Sequence, residues 1–164
     1  MSTRSGDLDP GVIVFLLKDK GMDAAAINRM VNKESGLIGV SGLSADMKEL
    51  LDREVREPRA AEAVELFCYQ ARKFLGALAA VLGGLDTVVF TGGIGENAPA
   101  VRERICSNME FLGIRLDTGR NRANEQVISI DNAGVAVRVM KTNEELMIAR
   151  HTRDLIRMQG GTHE

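Results

Sequence analysis

Apolar residues fall along this chain in three textures. From Asp9 to Leu82 the pattern reads as helix, and from Pro58 on the apolar residues recur at three- and four-residue steps, the spacing of one helix face. Asp9-Pro10 reads as an N-cap followed by proline at the first helical position. The helix it opens runs through Val12-Ile13-Val14-Phe15-Leu16-Leu17 and closes at Lys18-Asp19-Lys20-Gly21. A strand is the alternative, but the proline start and the Lys/Gly stop favour helix. Apolar on every face, this segment is expected to be buried all round or packed against a partner chain. A second helix is predicted over Ala24 to Lys33, with Ile27, Met30 and Val31 on one face. Ser35 to Ser44 reads as a glycine-rich connector, and Ser44 as the cap of a helix from Ala45 to about Glu54. Pro58 opens the longest helical pattern, with Val64, Phe67, Cys68, Ala71, Phe74, Leu75, Leu78 and Leu82 on its stripe, and Gly83-Gly84 stops it.

The second texture begins at Thr87. Thr87-Val88-Val89-Phe90 reads as a short buried strand and Gly92 to Asn97 as a turn. A helix over about Pro99 to Met109 follows, then strands at Ile114–Leu116, Val127–Ile130 and Ala136–Met140. Helical spacing returns after Thr142, which with Glu145 three residues on spells a capping box. The tail from Gln159 is expected to fray. There is no internal repeat. Three or four short strands are a small sheet for a whole α/β domain, so the chain reads like a piece that begins partway through something.

Composition narrows the class. At 164 residues the chain has the length of one ordinary domain, and 45% hydrophobic with 27% charged excludes wholesale disorder. A net charge of −2 argues against a non-specific nucleic-acid binder or a polybasic membrane protein. Cys68 and Cys106 make neither a disulfide framework nor a zinc spacing, which points to a reducing cytosol. Met1 to Asp7 has no apolar signal-peptide region, and the most apolar run, Phe74 to Leu82, falls well short of the ~20 residues that span a bilayer. A soluble, cytoplasmic protein is expected.

Three segments carry candidate chemistry. In Phe90-Thr91-Gly92-Gly93-Ile94-Gly95-Glu96-Asn97 a strand ends, glycines let the backbone approach a ligand, and a helix follows. That order suits a nucleotide, although a tight turn needing glycine for its dihedrals alone reads the same way. Gly93-x-Gly95-x-x-Ala98 also fits a dinucleotide fingerprint, with Asp117 roughly 20 residues on as the ribose acid. Against that reading, Glu96 stands where pyrophosphate would meet a like charge. In Thr3-Arg4-Ser5-Gly6-Asp7-Leu8-Asp9-Pro10, Arg4 is either a phosphate or carboxylate fork or part of a solvated capping segment. In Lys141-Thr142-Asn143-Glu144-Glu145, Glu144 is either a magnesium-associated carboxylate or a first-turn acid facing the helix dipole. His151 and His163 read as surface or helix-face residues.

Taken together and in this order, Thr-Arg-Ser-Gly-Asp-Leu-Asp-Pro, Phe-Thr-Gly-Gly-Ile-Gly-Glu-Asn and Thr-Asn-Glu-Glu-Leu resemble the C-terminal signatures of the acetate kinase family, over Thr3 to about Asp154. The spelling is closer to acetate and propionate kinases than to butyrate kinases. The resemblance implies a helix-rich α/β fold with a small sheet, the C-terminal part of an actin-like, sugar-kinase-like (ribonuclease H-like) architecture. It implies Mg²⁺-dependent phosphate transfer between ATP and a short-chain carboxylate, giving an acyl phosphate. Carried over by position, Arg4 matches the arginine that steadies the phosphoryl group. Gly93, Ile94, Gly95, Glu96 and Asn97 match the nucleotide loop, Asp46, Met47 and Lys48 an adenine and ribose segment, and Glu144 the magnesium-associated glutamate. Lys48 stands where the family often has arginine, which removes planar stacking on the base.

Family enzymes are more than twice this length. The resemblance therefore places residues 1–158 as the C-terminal nucleotide-binding portion of a two-domain kinase, with 159–164 as tail and the N-terminal domain absent. Such a chain is expected to need that domain for catalysis and to form a homodimer through its Val12–Leu17 and Phe67–Leu82 surfaces. It is read as a fragment of a longer kinase, one product of a split gene, or a non-catalytic remnant. The competing classes are a dinucleotide-binding module for NAD and a non-catalytic dimerisation domain.

Overall fold

Helix fills the first half of the chain, where the three- and four-residue spacing predicts it, and strand begins only at Thr87. The computed structural model describes residues 2–160, with the side chains of all but Glu144 and residues 157–160; His163 lies outside the described residues. Helix α1, Pro10–Lys18, starts under the Asp9 carboxylate, which accepts from Gly11 N at 2.6 Å. None of its residues is buried, and Val14, Phe15 and Leu17 are about half exposed, so the all-round burial that its composition predicts is not met within this chain. Helix α2 spans Ala24–Lys33 under an Asp23 cap and buries Ile27.

The predicted connector between Ser35 and Ser44 instead holds α3, Gly36–Ser41, which Gly42 ends at φ +63°. The cap of α4, Met47–Arg53, is Asp46, whose carboxylate accepts from Glu49 N at 2.9 Å. Ser44, the predicted cap, is committed elsewhere: its hydroxyl donates to Glu49 Oε2 at 2.6 Å and accepts from Asp46 N. Helix α5, Pro58–Leu82, has both predicted ends and stops on Gly83 at φ +76°.

Strands β1, Thr87–Phe90, and β2, Ala136–Val139, pair in parallel, Val88 opposite Val137 and Phe90 opposite Val139. The two other predicted strands shrink to single bridges, Ile114 with Val135, Leu116 with Ser129 and Val127 with Arg138. Helix α8, Thr118–Arg122, lies in the connection between these two segments under an Asp117 cap that accepts from Arg120 N at 2.9 Å. The predicted turn after β1 closes into a short helix, α6, Gly92–Asn97. Helix α7, Pro99–Cys106, stops short of Met109: Ser107 is already extended, Asn108 turns to φ +60°, and a 3₁₀ turn follows at Glu110–Leu112. Helix α9, Glu144–Gly160, is capped by Asn143, which accepts from Leu146 N at 2.9 Å, in place of the predicted Thr142.

Two apolar clusters result. One gathers α3, α4, α5 and α7 around Leu50, Val64 and Ile105; the other packs β1 and β2 with Met109, Ile114 and Ile128. Leu75 and Phe90 touch both and join them. The other sheet face, with Val89 beside Arg138, is exposed.

Cys68 and Cys106 sit inside these clusters as free thiols. Burial pushes the Cys68 thiol up to about 11 and the Cys106 thiol to about 12, with nearby arginines opposing only in part. Only the thiolate is nucleophilic. Both thiols are therefore expected to resist iodoacetamide at pH 8 in the folded protein and to react at least ~10-fold faster in urea; equal rates in the two conditions contradict the packing.

Candidate functional site

The end of β1 sets the site. Thr91 is extended, and Gly92 then turns to φ +70°, a region L side chains rarely adopt. Gly95 comes back under the strand, where a Cβ would lie 3.2 Å from the Phe90 carbonyl carbon. Gly93 differs from both, since a Cβ there would meet nothing within 4 Å. Dihedral and close approach thus account for Gly92 and Gly95, and neither reason applies to Gly93.

A cavity of about 320 Å³ lies between the start of α4 and α6, lined by Asp46, Met47, Lys48, Gly93, Ile94 and Asn97, with Ser2 at its rim. Two segments far apart in sequence, each singled out for a nucleotide, therefore share one concavity. Their members differ in character. Met47 is mostly core at 4% exposure, Asp46 spends one carboxylate oxygen capping α4, and Lys48 is exposed. Asn97 donates from Nδ2 to Gly93 O at 3.0 Å, which fixes its side chain along the helix.

The remaining predicted residues stand apart from this cavity. Glu96 lines a second one of about 520 Å³ with Asn124, Gln126, Arg138 and Lys141, and Asn97 borders both. Arg4 is exposed, on an N-terminal segment that Thr3 and Ser5 dock onto the end of α2 through Asn32 O and Val31 O. Glu144 opens α9, and its side chain lies outside those described. Asp117, which the dinucleotide reading needs on a ribose, is the cap of α8.

Glu96 resolves the charge that seemed misplaced in the loop. Its Oε1 accepts from Thr142 N at 2.9 Å, Thr142 Oγ1 at 3.1 Å and Gly92 N at 3.0 Å. These bonds, led by that from the Thr142 amide, hold its carboxyl below the usual range, with partial desolvation opposing. The carboxylate closes α6 on itself and ties it to the approach to α9.

Sequence reasoning missed Arg102. It is fully buried in α7 and reaches both α6 and the α8 region. The signal was present: Arg102 shares the buried stripe of α7 with Val101, Ile105 and Cys106, an unusual place for a charge.

With the geometry in place, comparison with known proteins is direct. The fold is that of acetate and propionate kinases. The crystal structure of Porphyromonas gingivalis acetate kinase superposes with a TM-score of 0.88 at 44% identity, over 95% of this chain and 40% of that one. A propionate kinase from Francisella tularensis gives 0.85 at 38% identity, over 91% and 38%. An acetate kinase of Symbiobacterium thermophilum is 49% identical over 160 residues, 96% of this chain and 40% of that protein. The Acetokinase family profile matches residues 1–150, and the chain belongs to that family. It spans about 40% of the length of the relatives it matches.

The Glu96 contacts carry a pH signature. A depressed folded pKa contributes stability that is present above the unfolded value, near 4.5, and lost as pH falls through the folded value. The melting-temperature gap between the parent chain and Glu96→Ala is expected to be open at pH 7 and to narrow as pH falls below the unfolded value near 4.5. A gap that does not narrow on acidification contradicts the ionised bond.

Proposed function

We propose that this chain is the C-terminal, nucleotide-holding portion of an acetate- or propionate-type kinase, which moves phosphate between ATP and a short-chain carboxylate to give an acyl phosphate. The observation that carries this is the shared cavity: Asp46, Met47 and Lys48 face Gly93, Ile94 and Asn97 across it. In this reading α4 and α6 grip the nucleoside, and Lys48 offers a point charge at the rim where a guanidinium would stack. Arg4 supplies the fork that steadies the transferring phosphoryl group, since phosphoryl transfer is mostly positioning and charge stabilisation.

Magnesium is the implied cofactor. Among the described residues no three His, Cys, Asp or Glu side chains converge. Kinases hold Mg²⁺ through one or two carboxylates together with the phosphates, and the family resemblance assigns that role to Glu144. Bound there, the ion would neutralise charge on the phosphate oxygens. Among the described residues no helix is long and apolar enough to cross a membrane, in keeping with a cytoplasmic enzyme. The exposed apolar residues of α1 and of the α5 end, among them Phe15, Phe74 and Leu78, suit a homodimer. Catalysis is assigned to the complete family fold, with this chain needing the N-terminal domain.

Calorimetric titration tests the reading. Mg-ATP is expected to bind and NAD not to, and Gly93→Val is expected to weaken Mg-ATP by more than ~10-fold without lowering the melting temperature, because nothing obstructs a side chain there and valine exceeds glycine in helix propensity. Gly95→Val instead collides with Phe90 and is expected to cost about 1–3 kcal/mol of stability. Preferential NAD binding would sink the kinase reading. Separately, the purified chain with Mg-ATP and acetate is expected to form no acetyl phosphate; product formation that Arg4→Ala abolishes would overturn the need for a further domain.

A further inference from the structure

Arg102 is a buried cation with no carboxylate paired to it among the described residues. Its five N–H donors all find acceptors: Nη1 donates to Gly95 O at 2.8 Å and Glu96 O at 3.0 Å, Nε to Asn121 Oδ1 at 2.8 Å, and Nη2 to Asn121 O at 2.7 Å and Asn124 Oδ1 at 2.6 Å. Burying a charge without a counter-ion is costly, and the surrounding dipoles offset that cost only if they are held in place. Asn121 is held, since its Nδ2 donates to Pro99 O at 3.0 Å at the start of the same helix. Asn124 takes φ +53°, a left-handed position that aims its side chain back at the guanidinium.

The acceptors on the other side are the terminal carbonyls of α6, which a helix of six residues cannot satisfy internally. We propose that Arg102 is the positioning residue of the nucleotide cavity. One edge of its guanidinium grips the last turn of α6, the other edge is anchored in the α8 segment, and the fork thereby sets Gly93, Ile94 and Asn97 at their distance from α4. The bonds to α6 are peptide-carbonyl contacts, so they fix backbone, whatever side chains the turn carries. Lysine cannot replace it, because one ammonium cannot span Gly95, Glu96, Asn121 and Asn124 together. The link from Arg102 to nucleotide rests on the kinase reading, whereas its hold on α6 stands apart from it.

Hydrogen exchange on the full chain without nucleotide separates the two. In Arg102→Lys, amides of residues 92–98 and 118–125 are expected to exchange ~10-fold faster or more, with those of α5 unchanged within about 2-fold. Asn121→Ala, which leaves the guanidinium in place and withdraws one anchor, gives the same pattern at about 3-fold if the lysine variant does not fold. Uniform loss of protection would make Arg102 merely structural, and unchanged exchange at 92–98 overturns the proposal. Mg-ATP affinity is then read on the same variants. Weaker binding alongside local opening, with melting temperature held, supports the positioning role; local opening with parent affinity refutes it. A parent chain that prefers NAD fails the kinase reading while leaving the exchange result to judge the hold on α6.

Discussion

Two parallel strands cannot be joined by a hairpin, and that constraint organises this chain from Thr91 to Val135. The connection leaves the sheet at α6, turns through α7 and the 3₁₀ segment, and returns by way of α8. Outgoing and returning arms both expose backbone carbonyls in the interior, and a buried carbonyl must be paired. The guanidinium of Arg102 lies where the arms meet and pairs them: Gly95 and Glu96 on the way out, Asn121 on the way back. Apolar packing by Val101, Ile105 and Cys106 on the same helix stripe keeps water from that junction.

Charge placement around α6 follows the same economy of contacts. The helix is too short to satisfy its own ends, so side chains do it. Glu96 reaches back to the Gly92 amide at the beginning, and Arg102 takes carbonyls at the end. Each of these side chains also binds a second element, Thr142 before α9 for Glu96 and the α8 region for Arg102. A carboxylate that reads in sequence as an obstacle to an anionic ligand is therefore occupied with amides and a hydroxyl. The cavity facing α4 is lined by neutral members of α6, Gly93, Ile94 and Asn97.

Local signals were legible where one residue decides an element. Proline at position 58 and glycine at 83 fixed both ends of α5, and Asp9-Pro10 the start of α1. The glycine segment after β1 was legible as a motif, whereas Asp46, Met47 and Lys48 entered only through the family resemblance, and these two meet at one cavity. What sequence could not supply were choices made between distant partners. Thr142 gives up its cap to Asn143 because Glu96, 46 residues earlier, claims its amide and hydroxyl. Ser44 yields to Asp46 because Glu49 takes its hydroxyl. The strands expected at 114–116 and 127–130 have the right composition but make only two isolated bridges each, Ile114 and Leu116 in the first and Val127 and Ser129 in the second. Arg102 is the largest such case, a charged residue whose acceptors come from two other helices and the residues around them.

The proposed function puts a nucleotide between α4 and α6. The most direct measurement is amide chemical-shift mapping on the isotope-labelled chain during a Mg-ATP titration. The largest shifts are expected at residues 45–48 and 93–98, the two walls of the cavity. Shifts concentrated instead around Gln126, Arg138 and Lys141, which line the second cavity, would contradict the assignment of the nucleotide to this site.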